Sequence, residues 1–132
     1  MDWHVIYTGV NSEHIALRGL QSKGFEVYCP TGKRMIRHAR QSKIKIFPVF
    51  SRYIFVRFDP LEFSIIKSED GVIDILRNDW IPVRVSPWLI EEIKIRENSG
   101  HFDLLPAEPI KKPKWSRSFN ILKNLLNVEA TA

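Results

Sequence analysis

Residues 47–60 constrain the fold of this chain most, because they form an aromatic and β-branched run between two proline turns. Proline cannot donate a hydrogen bond inside a sheet, so the two prolines mark where the strand begins and ends. Side chains alternate between the faces of a strand, which places Tyr53 and Phe55 on one face and Ile54 and Val56 on the other. Such a strand can pack a core with one face and a partner with the other.

The positive charge of the chain is concentrated in one window, residues 27–58, which contains no Asp or Glu. The window holds 8 of the 20 basic residues, so the formal net charge of +5 arises within it. A basic segment leading into an aromatic strand predicts a nucleic-acid or nucleoprotein partner, although a solvated surface charge is the alternative. The basic residues are Lys33, Arg34, Arg37, Arg40, Lys43, Lys45, Arg52 and Arg57.

Length and composition favour one globular domain with a reducing, cytoplasmic location. The chain has 132 residues, of which 44% are apolar and 27% are charged. No apolar run reaches the roughly 18 residues that a membrane helix needs, so no membrane partner is expected. The N-terminus lacks the basic start of a secretory signal, and the single cysteine, Cys29, excludes an intrachain disulfide.

Catalytic, metal and cofactor motifs are missing from the sequence. There is no glycine-rich phosphate loop, no paired histidine or cysteine spacing for a metal, and no nucleophile elbow. The four histidines are scattered, and Cys29 precedes a proline at a strand end, which is typical of a structural thiol. We therefore expect a protein that is not an enzyme and needs no cofactor.

The order of predicted elements indicates an α+β fold. The strand-like segments are residues 3–9, 25–29, 44–58, 72–76 and 83–85. Helices are expected after the capping residues Ser12, Asp59 and Ser86. Residues 31–43 are polar and basic, which predicts a flexible hairpin or a long loop. We expect an antiparallel sheet of four to five strands with helices on one face, which leaves the other face free to bind.

This domain is predicted to span residues 1–105. The following residues, 106–132, are rich in proline and lysine at first, which predicts a linker and a short tail. Residues 119–128 have the apolar spacing of a short amphipathic helix, which would be marginal alone. Such a helix is a candidate to cover a binding pocket on the domain.

Four features that occur in order along the chain point to a family. They are Trp3 with Val5 and Tyr7, the strand end Tyr28-Cys29-Pro30, the run Pro48–Pro60 after a basic loop, and Gly71-Val72 with Arg77 and Pro82-Val83. Together they resemble the N-terminal (NGN) domain of the NusG family of transcription elongation factors, over residues 2–105. The aromatic run that ends in Phe-Asp-Pro is most similar to the RfaH-like specialised paralogs of that family. The resemblance implies an NGN, ferredoxin-like sandwich.

The resemblance also implies a transcription elongation or antitermination factor. A domain of this family binds the clamp helices of bacterial-type RNA polymerase through an apolar pocket, spans the nucleic-acid channel and contacts the gate loop. By holding the clamp closed, it suppresses pausing or termination. The implied polymerase-binding residues are Tyr7, Phe50, Tyr53 and Phe55 at the clamp-helix pocket, and Ser64, Ile65 and Ile66 at the gate loop.

The chain departs from the family pattern in its charge. RfaH-like proteins carry basic residues just after the first strand, where this chain has Gly9 and Val10, and Asp70 precedes the later Gly-Val pair. The charge lies instead on the segment after the second strand, where it suits contacts with phosphates of the elongation complex. The predicted nucleic-acid-binding residues are Lys33, Arg34, Arg37, Arg40, Lys43, Lys45 and Arg77.

Two further departures concern a turn and the C-terminus. Ser51-Arg52 stand where the family has proline and then glycine or asparagine before the strand tyrosine. Residues 106–132 contain no glycine and are too few for the KOW module of NusG proteins. We therefore expect a chain that lacks KOW and has no ribosome coupling.

The alternative function is a single-stranded RNA-binding module of the RRM-like type. Residues 52–58 partly resemble the RNP1 signature of that fold, in which aromatic rings of the sheet stack on bases. The signature's glycine is missing here. Stacking of this kind requires Tyr53 and Phe55 to be exposed beside the basic segment.

Overall fold

The computed structural model describes residues 1–104 together with Leu122 and Asn124. The first half contains β1 (Asp2–Thr8), α1 (Glu13–Ser22), β2 (Glu26–Tyr28), β3 (Thr31–His38), β4 (Gln41–Pro48) and β5 (Tyr53–Phe58). The second half contains a single 3-10 turn (Pro60–Glu62), α2 (Phe63–Lys67), β6 (Val72–Ile75), β7 (Arg77–Asn78), β8 (Ile81–Pro82), β9 (Arg84–Val85) and α3 (Pro87–Asn98).

The main sheet is antiparallel and has five strands, in the order β2-β5-β1-β6, with β9 also paired to β1. Strand β1 lies in the middle, and its register with β5 sets Tyr7 opposite Tyr53 and Val5 opposite Phe55. The predicted α+β fold class, with an antiparallel sheet of four to five strands and packed helices, is confirmed.

Helices cover both faces of this sheet, so the expectation that they lie on one face is wrong. On one face, Ile54 and Val56 pack with Leu20 of α1 and Ile66 of α2. On the other face, Phe55 packs in a second cluster. That cluster includes Trp3, Val5, Val85 and the α3 residues Leu89, Ile90 and Ile93. The reason is the apolar character of β5 on both sides of its pleat, because each side has to be removed from water.

Polar and glycine signals mark the ends of the helices. Of the three predicted capping side chains, Asp59 alone makes a capping hydrogen bond, while Ser12 and Ser86 stand at the N-cap positions without one. The Asp59 carboxylate accepts a hydrogen bond from the Leu61 amide at 3.0 Å, which caps the 3-10 turn before α2. Gly24 and Gly100 follow α1 and α3 with φ of +90° and +81°, a conformation that glycine adopts without a steric penalty. Pro87 opens α3, where its missing amide hydrogen is not needed.

Residues 31–48, which we call the basic hairpin, form a separate two-stranded sheet. Strands β3 and β4 pair over eight residues each, so the hairpin alternative for this segment is correct. The predicted strand over residues 44–58 is two strands, because a turn separates β4 from β5.

The proposed linker and tail lie outside the described residues, except for two positions in helical conformation. These are Leu122 and Asn124. The Leu122 side chain is buried in the cluster that contains Phe55 and α3. One residue of the tail therefore completes the core on that face of the sheet.

Candidate functional site

The centre of the candidate site is a pair of tyrosines on adjacent strands. Tyr7 and Tyr53 are direct cross-strand partners, and their ring centroids lie 5.5 Å apart at an interplanar angle of 54°. The Arg52 guanidinium lies 4.6 Å from the centre of the Tyr7 ring, within range of a cation–π contact. Tyr7 is half-buried and reaches the surface, whereas Tyr53 beside it is buried, with 9% of the residue exposed. Burial, followed by the neighbouring Tyr7, raises the pKa of Tyr53.

The turn before β5 holds Arg52 in an uncommon conformation. The Tyr53 amide donates a hydrogen bond to the Phe50 carbonyl at 2.9 Å, and Arg52, in the third position, has φ of +70°. A positive φ at this position is typical of type II turns, which favour glycine or asparagine there. The Arg52 Nε also donates to the Thr8 carbonyl at 3.3 Å. The turn therefore forms with Ser51-Arg52, and Arg52 is a site residue that we did not predict.

Two predicted pocket residues lie beneath the tyrosines. Phe50 and Phe55 are each 1% exposed, and their rings pack edge to face with centroids 5.8 Å apart. The Tyr28 ring stacks on Phe55 at 6.3 Å. Phe50 and Phe55 therefore shape the site from inside the core rather than offer a free ring to a partner.

Glu97 of α3 connects three elements below this site. Its carboxylate accepts hydrogen bonds from the Tyr28 hydroxyl at 2.9 Å and from the Thr31 amide at 2.5 Å. The Lys94 ammonium lies 5.3 Å from the centre of the Tyr28 ring. Burial, with a contribution from Glu97, raises the pKa of Tyr28. No local sequence signal could identify this connection, because 66 to 69 residues separate the partners.

The three predicted gate-loop residues divide between surface and core. Ser64 is exposed and Ile65 is 44% exposed on α2. Ile66 is fully buried against β5 and α1, so it supports the helix and has no exposed surface for a partner. The structure therefore brings Ser64 and Ile65 together as the accessible part of this segment.

Six of the seven predicted nucleic-acid-binding residues lie on the basic hairpin, and five of these six are exposed. The exception is Arg34, whose guanidinium lies 5.9 Å from the centre of the Phe47 ring. The seventh residue, Arg77, lies on β7 and pairs with Asp74 at 2.9 Å. Burial alone would raise the pKa of Asp74, but hydrogen bonds from the Ile75 amide and Arg77 lower it overall. Arg77 is therefore partly neutralised and lies apart from the hairpin set.

In this fold, β5 offers no exposed aromatic ring on which a base could stack. Tyr53 and Phe55 face the cluster with α3, and Ile54 and Val56 face α1. The RRM-like alternative requires exposed rings on one face of the sheet. The covering helices therefore remove the observation on which that alternative depended.

Chemistry at single side chains is limited in the described part of the chain. Among residues 1–104, no three histidine, cysteine or acidic side chains lie together in a way that could hold a metal ion. Burial raises the pKa of the Cys29 thiol to about 12, which keeps it protonated and unreactive at neutral pH. No helix in the same part of the chain is long and apolar enough to cross a membrane.

Comparisons with known proteins give one family. The family model described as transcription termination factor NusG matches residues 1–94. A solved structure titled "Domain interaction in Thermotoga maritima NusG" is 18% identical, with a TM-score of 0.49. The alignment covers 85% of this chain and 63% of that one, so this chain spans less than two thirds of its length. A search of curated proteins finds no match.

Proposed function

This chain belongs to the NusG family of transcription factors, and on that premise we propose that it is an elongation and antitermination factor of the RfaH-like kind. The observation that carries the proposal is the half-buried Tyr7 ring, with Arg52 packed on it and the buried Tyr53 beside it, in the domain that matches the family. The proposed partner is bacterial-type RNA polymerase. The proposed outcome is reduced pausing or termination.

The Tyr7–Tyr53 pair is suited to bind the clamp helices. Tyrosine and arginine are among the residues most enriched at the centres of protein interfaces. The tyrosine ring offers a large contact area on few rotatable bonds, and the guanidinium offers several donors in one rigid plane. Phe50 and Phe55 hold the pair in place from the core. Arg52 already packs on Tyr7, so the guanidinium and the ring form one preorganised surface.

A second contact at the exposed side of α2 fits the same role. Ser64 and Ile65 are available there, and Ile66 anchors the helix on the sheet. We propose that this side meets the gate loop while the Tyr7–Tyr53 pair holds the clamp helices. A rigid domain that contacts both sides of the polymerase channel opposes opening of the clamp, because opening would break one of the two contacts.

Nucleic acid of the elongation complex is the third proposed partner. The basic residues of the hairpin, with Arg77, suit contacts to phosphates. Such contacts strengthen association at low salt and carry little sequence information. They would therefore add to the affinity of polymerase binding without selecting a particular gene.

The test is capture of core RNA polymerase by the wild-type chain and a Tyr7→Ala variant, each at low and high salt. We expect Tyr7→Ala to weaken binding by about tenfold or more at both salt concentrations, as loss of an interface anchor does. Trp88→Ala is the matched control, because Trp88 is an exposed aromatic residue at the start of α3, outside the site. Absence of polymerase binding, or equal binding by Tyr7→Ala, contradicts the proposal.

A further inference from the structure

We propose that the basic hairpin binds double-stranded DNA as a ribbon inserted in the major groove. This inference rests on the proposed function, since it names the form of nucleic acid that the hairpin contacts. Its four grounds are the distribution of charge over the two faces, the size of the ribbon, the kind of apolar residue it exposes and its fixed base.

Positive charge is present on both faces of the ribbon. Directly opposed residues of an antiparallel pair share a face, so Arg34 and Lys45 lie together on one side, with Lys43 two residues from Lys45. Lys33 and Arg37 lie on the opposite side. A ribbon that rests on one backbone needs charge on one side only. Charge on two sides suits a groove, because both walls of a groove are lined by phosphates.

The dimensions of the hairpin fit the major groove of B-form DNA. Its strands pair over eight residues each, which corresponds to a length of about 27 Å at about 3.4 Å per residue. The major groove is about 12 Å wide and admits a two-stranded ribbon, whereas the major groove of duplex RNA is too deep and narrow. The inference is therefore specific to DNA.

The apolar residues of the hairpin favour a duplex over a single strand. Ile44 and Ile46 are 60% and 56% exposed, and both lie on the face of Lys33 and Arg37. Phe47 is the only Phe, Tyr or Trp residue in the hairpin, and its half-buried ring is next to Arg34. Single-strand binding needs exposed rings on which bases stack. Branched aliphatic side chains instead suit the thymine methyl groups of the major groove.

The base of the hairpin is fixed to the body of the protein. The Lys33 amide donates to the Asp103 carboxylate at 2.9 Å, and the Leu104 amide donates to the Lys33 carbonyl at 2.7 Å. At Gly32 a Cβ atom would lie 2.5 Å from the Phe102 carbonyl oxygen, so this close approach requires glycine. A fixed base holds the ribbon in one direction, which lowers the entropy lost on binding.

The test measures binding of the full chain to a labelled 20-base-pair DNA duplex, the matching single strand and the matching RNA duplex by fluorescence anisotropy over a salt series. We expect the DNA duplex to bind most tightly. Lys43→Gln/Lys45→Gln should weaken duplex binding at least fivefold and lower the slope of log affinity against log salt by about 2, or about 0.9 per lost phosphate contact. Arg18→Gln/Arg84→Gln is the control, since it removes equal charge from exposed sites on α1 and β9.

A second variant tests the apolar contact. Ile44→Thr/Ile46→Thr keeps β-branched side chains, so the hairpin should still form, and duplex binding should weaken about equally at low and high salt. Equal or tighter binding of the single strand or of the RNA duplex overturns the inference. So does an absence of DNA binding, or a Lys43→Gln/Lys45→Gln variant that matches the control.

The two proposals fail separately. Tyr7→Ala should retain duplex binding, because Tyr7 lies on β1 and not on the hairpin. Absence of polymerase capture by the wild-type chain, with intact duplex binding, contradicts only the proposed function. Intact polymerase capture with no duplex binding contradicts only the proposal that the basic hairpin binds DNA.

Discussion

Strands β4 and β5 are neighbours in sequence, but the apolar side chains of β5 are buried and those of β4 are largely exposed. In β5 every residue except Arg57 is buried, because the strand pairs with β1 and β2 and is covered on both faces. In β4 the residues from Gln41 to Ile46 are all exposed, and β3 is its partner strand in the described part of the chain. Burial therefore explains the apolar residues of β5, but within the described part of the chain it does not explain the isoleucines of β4, which are exposed.

The largest expected effect tests this contrast directly. Phe55→Ala should lower the free energy of unfolding by about 3 to 5 kcal/mol, because it leaves a cavity in the cluster with Phe50 and α3. Ile44→Ala should change it by less than about 0.5 kcal/mol, since the side chain is exposed. Urea denaturation of both variants measures the difference. A large loss for Ile44→Ala would show that the hairpin packs on the body, and the contrast would be wrong.

An intermediate effect is expected where the two regions join. Glu97→Gln should lower the free energy of unfolding by about 1 to 2 kcal/mol, because a neutral amide is a weaker acceptor for the Tyr28 hydroxyl and the Thr31 amide. The control is Glu91→Gln, which removes only an exposed ion pair with Lys94 and should have little effect. Thermal unfolding of both variants measures the difference in melting temperature. Equal melting temperatures would mean that Glu97 does not stabilise the base of the hairpin.

The smallest effect, and the only increase in the free energy of unfolding, is expected at the exposed turn that contains Trp80. Trp80 is 92% exposed and has φ of +70°, so its side chain adds strain and little packing. Trp80→Gly should raise the free energy of unfolding by up to about 1 kcal/mol, the part of the left-handed penalty that exceeds the entropy cost of glycine. Trp80→Ala is the control, because it keeps a Cβ atom and should show no such gain. A loss of stability in Trp80→Gly would mean that Trp80 packs on the body.

Local signals in the sequence were sufficient to predict most strands and helices outside the basic hairpin. Strand β5, the Asp59 cap and α3 with its buried Leu89, Ile90 and Ile93 were all predicted from composition and spacing. The covering of both sheet faces was not predicted. Periodicity shows that a strand has two apolar faces, but it does not show which helix covers each one.

Only part of the candidate site could be predicted from local signals in the sequence. Tyr7 and Tyr53 were expected at one site, and the structure places them as cross-strand partners. Phe50, Phe55 and Ile66 were named with them but are buried, since an aromatic or aliphatic residue in a strand or helix has the same signature inside a core and at an interface. Glu97 connects residues that are distant in sequence, so only the folded chain could reveal it.

The central position of β1 has a consequence for how the protein is made. Residues 2–8 are synthesised before any of their partner strands, which are β5, β6 and β9, the last of which ends at Val85. The sheet therefore cannot be completed until 77 residues beyond the end of β1 have been synthesised. Pairing over such separations slows folding, because loop closure precedes the stabilising contacts. Until then the apolar side chains of β1 lack the partners that bury them in the fold, which exposes this strand to aggregation.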